Sequence, residues 1–358
     1  MEKKRQSNIE LLRIIAMFSI IAHHYVVNSG INNCLIENPC SVRTAILIVF
    51  GAWGKTSINI FVLITGYFMC QSKLTVKKYL KLIGEFVFYN LILFLIYWRL
   101  GCIDFSWSGL LQKCNPIYMV GNSFVPAYFL LLLFVPFLNR FIEIMDQKTH
   151  AKLVVLLLGV YSGLGSLSFI LFTFNYLSWF VILYILSAYI RKYPNRLLFS
   201  GRFVGIKLIG ALVIASATLV YEIRHLQHTF FWVSDSNKIL ALLISVYVFV
   251  FFLNINVSYN SIINLFASTT LGVLLIHADS SIMRSYIWDT VYPNSVYYYT
   301  KYVYLHAFAK VFLVFVICAI IDIIRIYTVE KLWLKAVDWI ITRVGERNNI
   351  RNKATPKS

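Results

Sequence analysis

Charged residues are scarce in this sequence, and their scarcity excludes an ordinary soluble fold. Asp, Glu, Lys and Arg make up 13% of the 358 residues, whereas soluble domains carry about 25%. Seven prolines and 16 glycines leave the hydrophobic runs almost uninterrupted, and no linker rich in Ser, Pro or Gly divides them. Because 59% of the residues are hydrophobic, the sequence predicts an all-α integral membrane protein with a single membrane domain.

The hydrophobic runs approach the length that crosses a bilayer, since a hydrocarbon core of about 30 Å takes about 20 helical residues. We place ten transmembrane helices near 8–29, 44–70, 82–101, 125–144, 153–172, 175–190, 203–222, 238–254, 263–282 and 303–327. They form a polytopic membrane domain over residues 1–328. Residues 329–358 form a cytoplasmic amphipathic helix, at 329–347 on the inner leaflet, followed by a basic tail.

The second of these spans is interrupted at Gly51–Lys55, which predicts a short outer helix before the crossing segment Ile58–Cys70. A broken helix at membrane depth usually lines a cavity. A surface turn just outside the lipid is the alternative interpretation.

A net charge of +18 would suit a nucleic-acid partner, but the cations never gather on a long soluble segment. They lie between the predicted spans and are denser on one side of the membrane. The inner segments hold Lys3, Lys4 and Arg5; Lys73, Lys77, Lys78 and Lys81; Arg140, Lys148 and Lys152; and Arg191, Lys192, Arg196 and Arg202. This asymmetry predicts that both termini are cytoplasmic, and no nucleic acid is expected to bind.

The six cysteines lack the spacing of metal ligands, so no metal site is expected. Two pairs fall in predicted outer loops, Cys34 with Cys40 and Cys102 with Cys114. Each pair is either a disulfide or two free thiols.

The first span carries the densest set of ionisable residues inside a predicted helix. Arg13 and His24 are eleven residues apart, so they lie about 20° apart around the helix and about 16 Å apart along it. Ionisable groups in the bilayer cost at least about 2.5 kcal/mol on insertion scales, which makes each one a functional candidate. A cation near the inner face and an imidazole deep in the membrane suit a protein that positions an anionic donor and activates an acceptor.

Imidazole titrates near neutrality and can take a hydroxyl proton, which makes His24 the best candidate for a general base. His23 lies about 100° away around the helix and is less well placed. The alternative interpretation is structural. Arg13 would then reach the inner surface beside Glu10, and the histidines would hydrogen-bond neighbouring helices.

Other polar residues in or beside the spans are weaker candidates, because most can simply hold helices together. They are Asn59, Thr65, Glu85, His277, Asp279, Arg284, His306 and Lys310. His277 stands out because Asp279 and Arg284 follow closely, and Asn59 or Thr65 could stabilise an oxyanion. Lys77, Lys78 and Lys81 form either a phosphate-binding patch for a nucleotide-containing donor or an ordinary topogenic signal.

Four stretches together resemble membrane acyltransferase family 3, the cell-surface O-acetyltransferases of bacteria. They are Asn8–Tyr25, Ser57–Phe68, Ala127–Asn139 and Gly272–His277. The first is the most specific, because the family's hallmark is an Arg, ten intervening residues and a His in the first helix. Arg13 and His24 match it.

The resemblance implies a ten-helix core in the bacterial cytoplasmic membrane. It implies acetyl transfer from acetyl-CoA in the cytoplasm to a sugar hydroxyl outside, with His24 and Arg13 as catalytic residues. The chain departs from the family at three points. Lys78 and Lys81 replace an Arg-x-x-Arg pair, Thr65-Gly66-Tyr67 replaces the usual Ser-Gly-Phe turn, and Ala278 stands between His277 and the next acidic residue. Lysines lack the planar fork with which arginine grips phosphate.

The leading hypothesis is therefore an integral membrane O-acyltransferase in which His24 deprotonates the acceptor hydroxyl or relays the acyl group. It needs no metal and no permanently bound cofactor, with acetyl-CoA as the donor. The acceptor would be a cell-surface glycan or lipid-linked saccharide, alongside possible separate envelope-biosynthesis partners. A transporter or flippase of an envelope precursor is the alternative, since intramembrane ionisable residues also mark transport paths. No internal repeat supports it.

Overall fold

The computed structural model describes residues 6–118, 123–194, 201–226, 230–278 and 280–354, and within them the chain is helical with no strand. The helices are α1 (Ser7–Val27), α2 (Ile31–Glu37), α3 (Val42–Gly51), α4 (Gly54–Met69), α5 (Val76–Arg99), α6 (Trp107–Cys114), α7 (Phe124–Glu143), α8 (Gln147–Leu158), α9 (Tyr176–Lys192), α10 (Gly201–His225), α11 (Ile239–Asn254), α12 (Ser261–Ser268), α13 (Thr270–Ala278), α14 (Ser281–Ser285), α15 (Asn294–Tyr298), α16 (Val303–Tyr327) and α17 (Val329–Ala354). Short 3₁₀ or π turns occur at Gly159–Gly163, Leu164–Ser166, Phe231–Val233 and Tyr286–Thr290.

Seven segments of the described chain are long and apolar enough to cross a membrane, which makes this a multi-pass membrane protein. They are Ser7–Val27, Val42–Met69, Val76–Arg99, Phe124–Glu143, Phe203–His225, Ser261–Ala278 and Val303–Arg343. The other three predicted spans, 153–172, 175–190 and 238–254, fall on helices that are interrupted or shorter, namely α8, α9 and α11. The all-α class is confirmed, while the number of ten crossings and the cytoplasmic termini stay predictions.

Helix α9 lies at the centre of one packed region although it has only 17 residues. Its Trp179, Phe180, Leu183 and Tyr184 are fully buried and pack against α4 and α7. A side chain at Gly66 of α4 would collide with Ser187 of α9, so this glycine allows the two helices to touch. Eleven of the 17 residues of this helix are buried, so protein covers most of its surface.

The predicted break in the second span is confirmed. Helix α3 ends at Gly51 and α4 begins at Gly54, with Ala52 and Trp53 between them. Gly54 and Lys55 border a large internal cavity. Of the two interpretations of this break, cavity lining is therefore the one that the structure supports.

The predicted amphipathic segment 329–347 forms part of α17, which packs against α5. The indole Nε1 of Trp333 donates to the carbonyl of Leu80 at 2.9 Å, and a side chain at Gly84 would collide with that indole. Leu332 and Trp339 are exposed while Val337 is buried, as expected of an amphipathic helix. The tail beyond residue 354 lies outside the described residues.

Each of the six cysteines is a free thiol. Cys34 is buried, whereas Cys40 and Cys102 are exposed. Of the alternatives that the sequence left open, this structure therefore has the unpaired thiols.

Candidate active site

A cavity of about 1350 Å³ runs along one face of α1. That helix lines it from near its first turn to beyond its end with Gln6, Glu10, Arg13, Met17, Ile20, His23, His24, Val27 and Asn28. Helix α4 contributes Gly54, Lys55, Ile58, Phe61, Thr65, Phe68 and Met69, and α5 contributes Lys78, Lys81, Leu82, Glu85, Phe86 and Asn90. Spacings of three and four residues place each set on one helix face. The cavity is therefore an elongated passage between helices.

The two ends of this passage differ in their side chains. We call one the Arg13 end; it is lined by Gln6, Arg13, Lys78 and Arg191. We call the other the His24 end; it is lined by His24, Asn28, Lys55 and Arg284. The pair that the sequence places about 16 Å apart on one stripe of the first helix thus borders one continuous cavity.

Two consecutive hydrogen bonds determine which ring nitrogen of His24 carries the proton. The Nδ1 of His277 lies 2.6 Å from the carbonyl oxygen of Val273, which only accepts, so His277 carries its proton on Nδ1. The Nε2 of a neutral His277 is then an acceptor, and it lies 3.1 Å from the Nδ1 of His24. His24 therefore donates from Nδ1, and its Nε2 is left with a free lone pair.

The two imidazoles differ in their access to the cavity. His277 is fully buried, whereas His24 borders the cavity. Within the part of the chain that the structure describes, no hydrogen bond engages the Nε2 of His24. That nitrogen is thus available to a molecule in the cavity, and the hydrogen bond to His277 sets the tautomer and orientation of the His24 ring.

His23 is anchored differently. Its Nδ1 donates to the carbonyl oxygen of Gly51 at 2.7 Å, at the break between α3 and α4. A Cβ atom at Gly54 would lie 2.5 Å from the His23 ring, so only glycine allows α4 to begin this close. Both histidines border the cavity, so the 100° between them does not turn His23 out of it. They differ instead in their partners, a backbone carbonyl for His23 and a second imidazole for His24.

Arg13 borders the cavity with a loosely held guanidinium. Its Nε lies 3.8 Å from the Glu10 carboxylate, which confirms that the two are neighbours on the helix. The same Nε is buried and donates no hydrogen bond to any described group. The side chain as a whole is 30% exposed and lines the cavity, so its terminal N–H groups, and not the buried Nε, are the ones that an anionic ligand can reach.

The three lysines of the predicted phosphate patch fall in different places. Lys78 borders the cavity, and no acidic partner contacts it within the described residues. Lys81 also borders the cavity but forms a 2.6 Å ion pair with Glu330. Lys77 is away from the cavity and pairs with Asp338 of α17 at 2.8 Å, so the structure does not bring it to the site.

Arg191 joins the Arg13 end although the sequence suggested only a topogenic role for it. Its Nη1 donates to the hydroxyl of Tyr67 at 2.8 Å and its Nε to Gln71 at 2.9 Å. Arg191 lies far from α1 in the sequence, and only the packing of α9 on α4 brings it to the cavity. The Lys and Arg distribution alone carried no signal for this contact.

A buried ion cluster adjoins the cavity at Glu85. Arg325 of α16 contacts Asp322 at 2.6 Å, Glu330 at 2.9 Å and Glu85 at 3.3 Å. The hydroxyl of Tyr89 donates to Asp322 at 2.7 Å. Sequence reasoning missed this cluster, because Asp322 and Arg325 resemble ordinary charges at the end of a span. The i, i+3 spacing of the two was the available signal.

The remaining candidates divide between the cavity and the helix packing. Thr65 borders the cavity and shares a 2.9 Å hydrogen bond with the hydroxyl of Tyr128. Asn59 is fully buried away from the cavity, where it donates to the carbonyl of Ser236 and accepts from Trp179. It holds helices together, so the structure does not favour it as an oxyanion donor.

Three further candidates lie near the His24 end or beyond it. Arg284 borders the cavity and donates to the carbonyl of Ala278 at 2.9 Å. His306 hydrogen-bonds the Tyr25 hydroxyl at 2.9 Å, and Lys310 donates to backbone carbonyls of the 291–292 loop. The last two contacts are structural. Asp279 lies outside the described residues.

A family model described as an acyltransferase domain matches residues 6–323, which is most of the chain. No curated protein and no solved structure matches the chain.

Proposed function

Because the chain belongs to the acyltransferase family whose model spans residues 6–323, we propose that it is an integral membrane O-acyltransferase of the bacterial cytoplasmic membrane. It would transfer an acetyl group from acetyl-CoA to hydroxyls of a cell-surface polysaccharide or another envelope glycan. The observation that carries the proposal is the His24–His277 pair, which leaves a basic nitrogen on the cavity.

The Arg13 end fits the donor. Arg13, Lys78 and Arg191 border the cavity there, and cations of this kind form strong charge-assisted hydrogen bonds with phosphates. From this end, about 16 Å of passage leads to His24, a distance suited to an extended pantetheine arm. Asn90 borders the passage and donates its own amide to the carbonyl of Phe86, so its carboxamide oxygen remains an acceptor for a pantetheine N–H. The proposal assigns the Arg13 end to the cytoplasm.

The chemistry takes place at the His24 end. The Nε2 of His24 accepts the proton of the acceptor hydroxyl as that oxygen attacks the carbonyl carbon of the thioester. A C–O bond forms, the C–S bond breaks, and the coenzyme A thiolate leaves. The proton on Nε2 then passes to the thiolate, so the imidazole returns to its starting state. His277 stabilises the charged His24 ring during the step by accepting from Nδ1.

Transport of an envelope precursor is a second use for a passage with cationic residues at both ends. A carrier would not split a thioester, so the two functions differ in their products. The family match favours acyl transfer.

The experiment that tests the proposal follows a labelled acetyl group. Membranes containing the protein are incubated with labelled acetyl-CoA and extracted envelope glycan, and matched membranes without the protein serve as the control. We expect alkali-labile label in the glycan together with an equal amount of free coenzyme A thiol. Glycan movement across the membrane without thiol release would support the transporter and contradict the proposal.

A further inference from the structure

The His24 end combines two half-buried cations with aromatic rings. Lys55 and Arg284 border it, as do Phe124, Tyr176 and Phe230. Lys55 follows Gly54, whose backbone packs against the His23 ring, and Arg284 donates to the carbonyl of Ala278, the residue after the His277 that contacts His24. A molecule whose hydroxyl reaches His24 therefore sits within the field of these two cations.

Lys55 has only neutral partners within the described residues. Its Nζ donates to the hydroxyl of Tyr176 at 2.8 Å and lies 5.5 Å from the centroid of the same ring. A lysine held at membrane depth usually pairs with a carboxylate or serves a ligand, because a cation removed from water is costly. The ammonium of Lys55 can donate three hydrogen bonds. It thus keeps donors for a bound anion.

Arg284 adds a second cation. Its one hydrogen bond to a described group runs from Nη1 to the carbonyl of Ala278, and a guanidinium has five N–H donors. Asp279 follows Ala278 in the sequence and lies outside the described residues. Anion binding at the His24 end is therefore supported by Lys55 more than by Arg284.

The acidic lining residues lie toward the other end of the passage. Glu10 precedes Arg13 on α1, and Glu85 belongs to the Arg325 ion cluster. No carboxylate borders the His24 end among the residues that the structure describes. The electrostatic field there attracts anions and disfavours cations.

We propose that the acceptor is an anionic saccharide, whose carboxylate or phosphate is bound by Lys55 and Arg284 while its hydroxyl lies at Nε2 of His24. The aromatic rings supply flat, amphipathic surfaces for the sugar rings. This inference rests on the proposed acyltransferase function and specifies the acceptor of the same site.

The experiment compares acidic and neutral acceptors in one preparation. Extracted envelope glycan is separated by anion exchange into an acidic and a neutral fraction, and each is offered with labelled acetyl-CoA to membranes containing the full chain. We expect label in the acidic fraction. The acidic fraction is then treated in two ways: its carboxylates are reduced, or its phosphates are removed with hydrogen fluoride. The treatment that abolishes transfer identifies the anionic group that the protein binds.

Variants then connect the preference to the cations. Lys55→Gln should raise the apparent KM for the acidic fraction at least about tenfold, since a charge-assisted hydrogen bond is lost. Lys55→Arg should retain most of the affinity. Lys301→Met is the matched control, because Lys301 is exposed, does not line the cavity and, among the residues that the structure describes, contacts the Tyr302 ring alone. It should behave as the unaltered protein.

Three results contradict one or the other proposal. Label in the neutral fraction alone would overturn the anionic acceptor and leave acyl transfer intact. Equal loss of transfer to both fractions in Lys55→Gln would also overturn it, because Lys55 would then serve catalysis or folding instead of acceptor charge. Label in neither fraction, with the protein present in the membranes, would overturn the acyltransferase function itself.

Discussion

At the scale of single residues, the orientation of His24 depends on one acceptor atom. His277 offers Nε2 to the Nδ1–H of His24 at 3.1 Å, and its own Nδ1 is held by a backbone carbonyl. A phenyl ring at position 277 would fill the buried space and offer no acceptor. The His24 ring would then lose both its tautomer and its fixed orientation.

We expect His277→Phe to lower kcat about 10²-fold, the cost of a misplaced catalytic group, with little change in the KM for acetyl-CoA. His277→Gln should recover part of the loss, because a carboxamide oxygen can accept from His24. Steady-state acyl transfer measures both variants. If Phe and Gln at position 277 give equal loss, His277 contributes packing and not a hydrogen bond.

Lys78 lies in the first turn of α5 and borders the cavity, and no acidic residue pairs with it in the described part of the chain. Lys78→Ala should raise the apparent KM for acetyl-CoA about tenfold, because charge-assisted phosphate contacts contribute about 1.5 to 3 kcal/mol. Lys78→Arg should preserve or improve donor affinity. The measured quantity is the KM for acetyl-CoA at a fixed acceptor concentration.

Lys77→Ala is the matched control for this prediction. Lys77 is half-exposed and pairs with Asp338 on the protein surface, and such ion pairs contribute about 0 to 1 kcal/mol. Its removal should leave the KM for acetyl-CoA unchanged. A reduced amount of protein in the membrane, with an unchanged KM in Lys78→Ala, would mean that Lys78 is only a topogenic residue.

At the scale of helices, the Arg325 cluster ties α16 and α17 to α5. Arg325 is the one described cation that contacts Glu85, Asp322 and Glu330 together. Arg325→Leu would leave three buried carboxylates without this partner, and breaking a buried ion pair costs about 3 to 5 kcal/mol. We expect a large loss of thermal stability in detergent and of protein abundance in the membrane.

Arg343→Leu provides the comparison for this cluster. Arg343 is exposed on α17 and stacks on Trp339, so its loss should change stability little. The midpoint of thermal aggregation measures both variants. Equal midpoints for Arg325→Leu and Arg343→Leu would mean that the buried cluster does not hold the helices together.

The sequence pattern predicted where the helices lie better than it predicted which helices contact each other. The break at Gly51–Gly54 and the amphipathic segment of α17 were visible in the sequence, because both depend on local composition. The contact of Arg325 with Glu85 joins residues that are distant in the chain, and no local pattern specifies which helices touch. The sequence pattern likewise groups Lys77 with Lys78 and Lys81, because it does not show that Lys77 forms an ion pair with Asp338.

The site itself was predicted in part. The helical stripe of α1 predicted that Arg13 and His24 would face one space, and both border the cavity. The sequence could not show that His277 lies behind His24, since the two are separated by most of the chain and meet only through the packing of α13 on α1. The sequence did not identify Arg191 and Lys55 as cavity residues, because each is one of many basic residues near the end of a span.

At the scale of the whole molecule, the proposed donor route requires the Arg13 end of the passage to face the cytoplasm. The excess of Lys and Arg in alternate loops predicts this orientation. Topology reporters fused after Ser7, Lys78, Lys148 and Lys353 should all report the cytoplasm, and fusions near Asn38 and Pro293 should report the exterior. An external reporter after Lys78 would place the Arg13 end on the outer side of the membrane and contradict the proposed donor route.

The most direct measurement compares His24→Ala with His23→Ala in the acetyl-transfer assay, at equal protein abundance in the membrane. Both histidines border the cavity, but only His24 is oriented by a second imidazole. Since removing a general base typically costs about 10²- to 10⁴-fold in rate, His24→Ala should abolish measurable transfer, and His23→Ala should cost much less. Near-normal turnover in His24→Ala, or equal losses in the two variants, would contradict the assignment of His24 as the catalytic base.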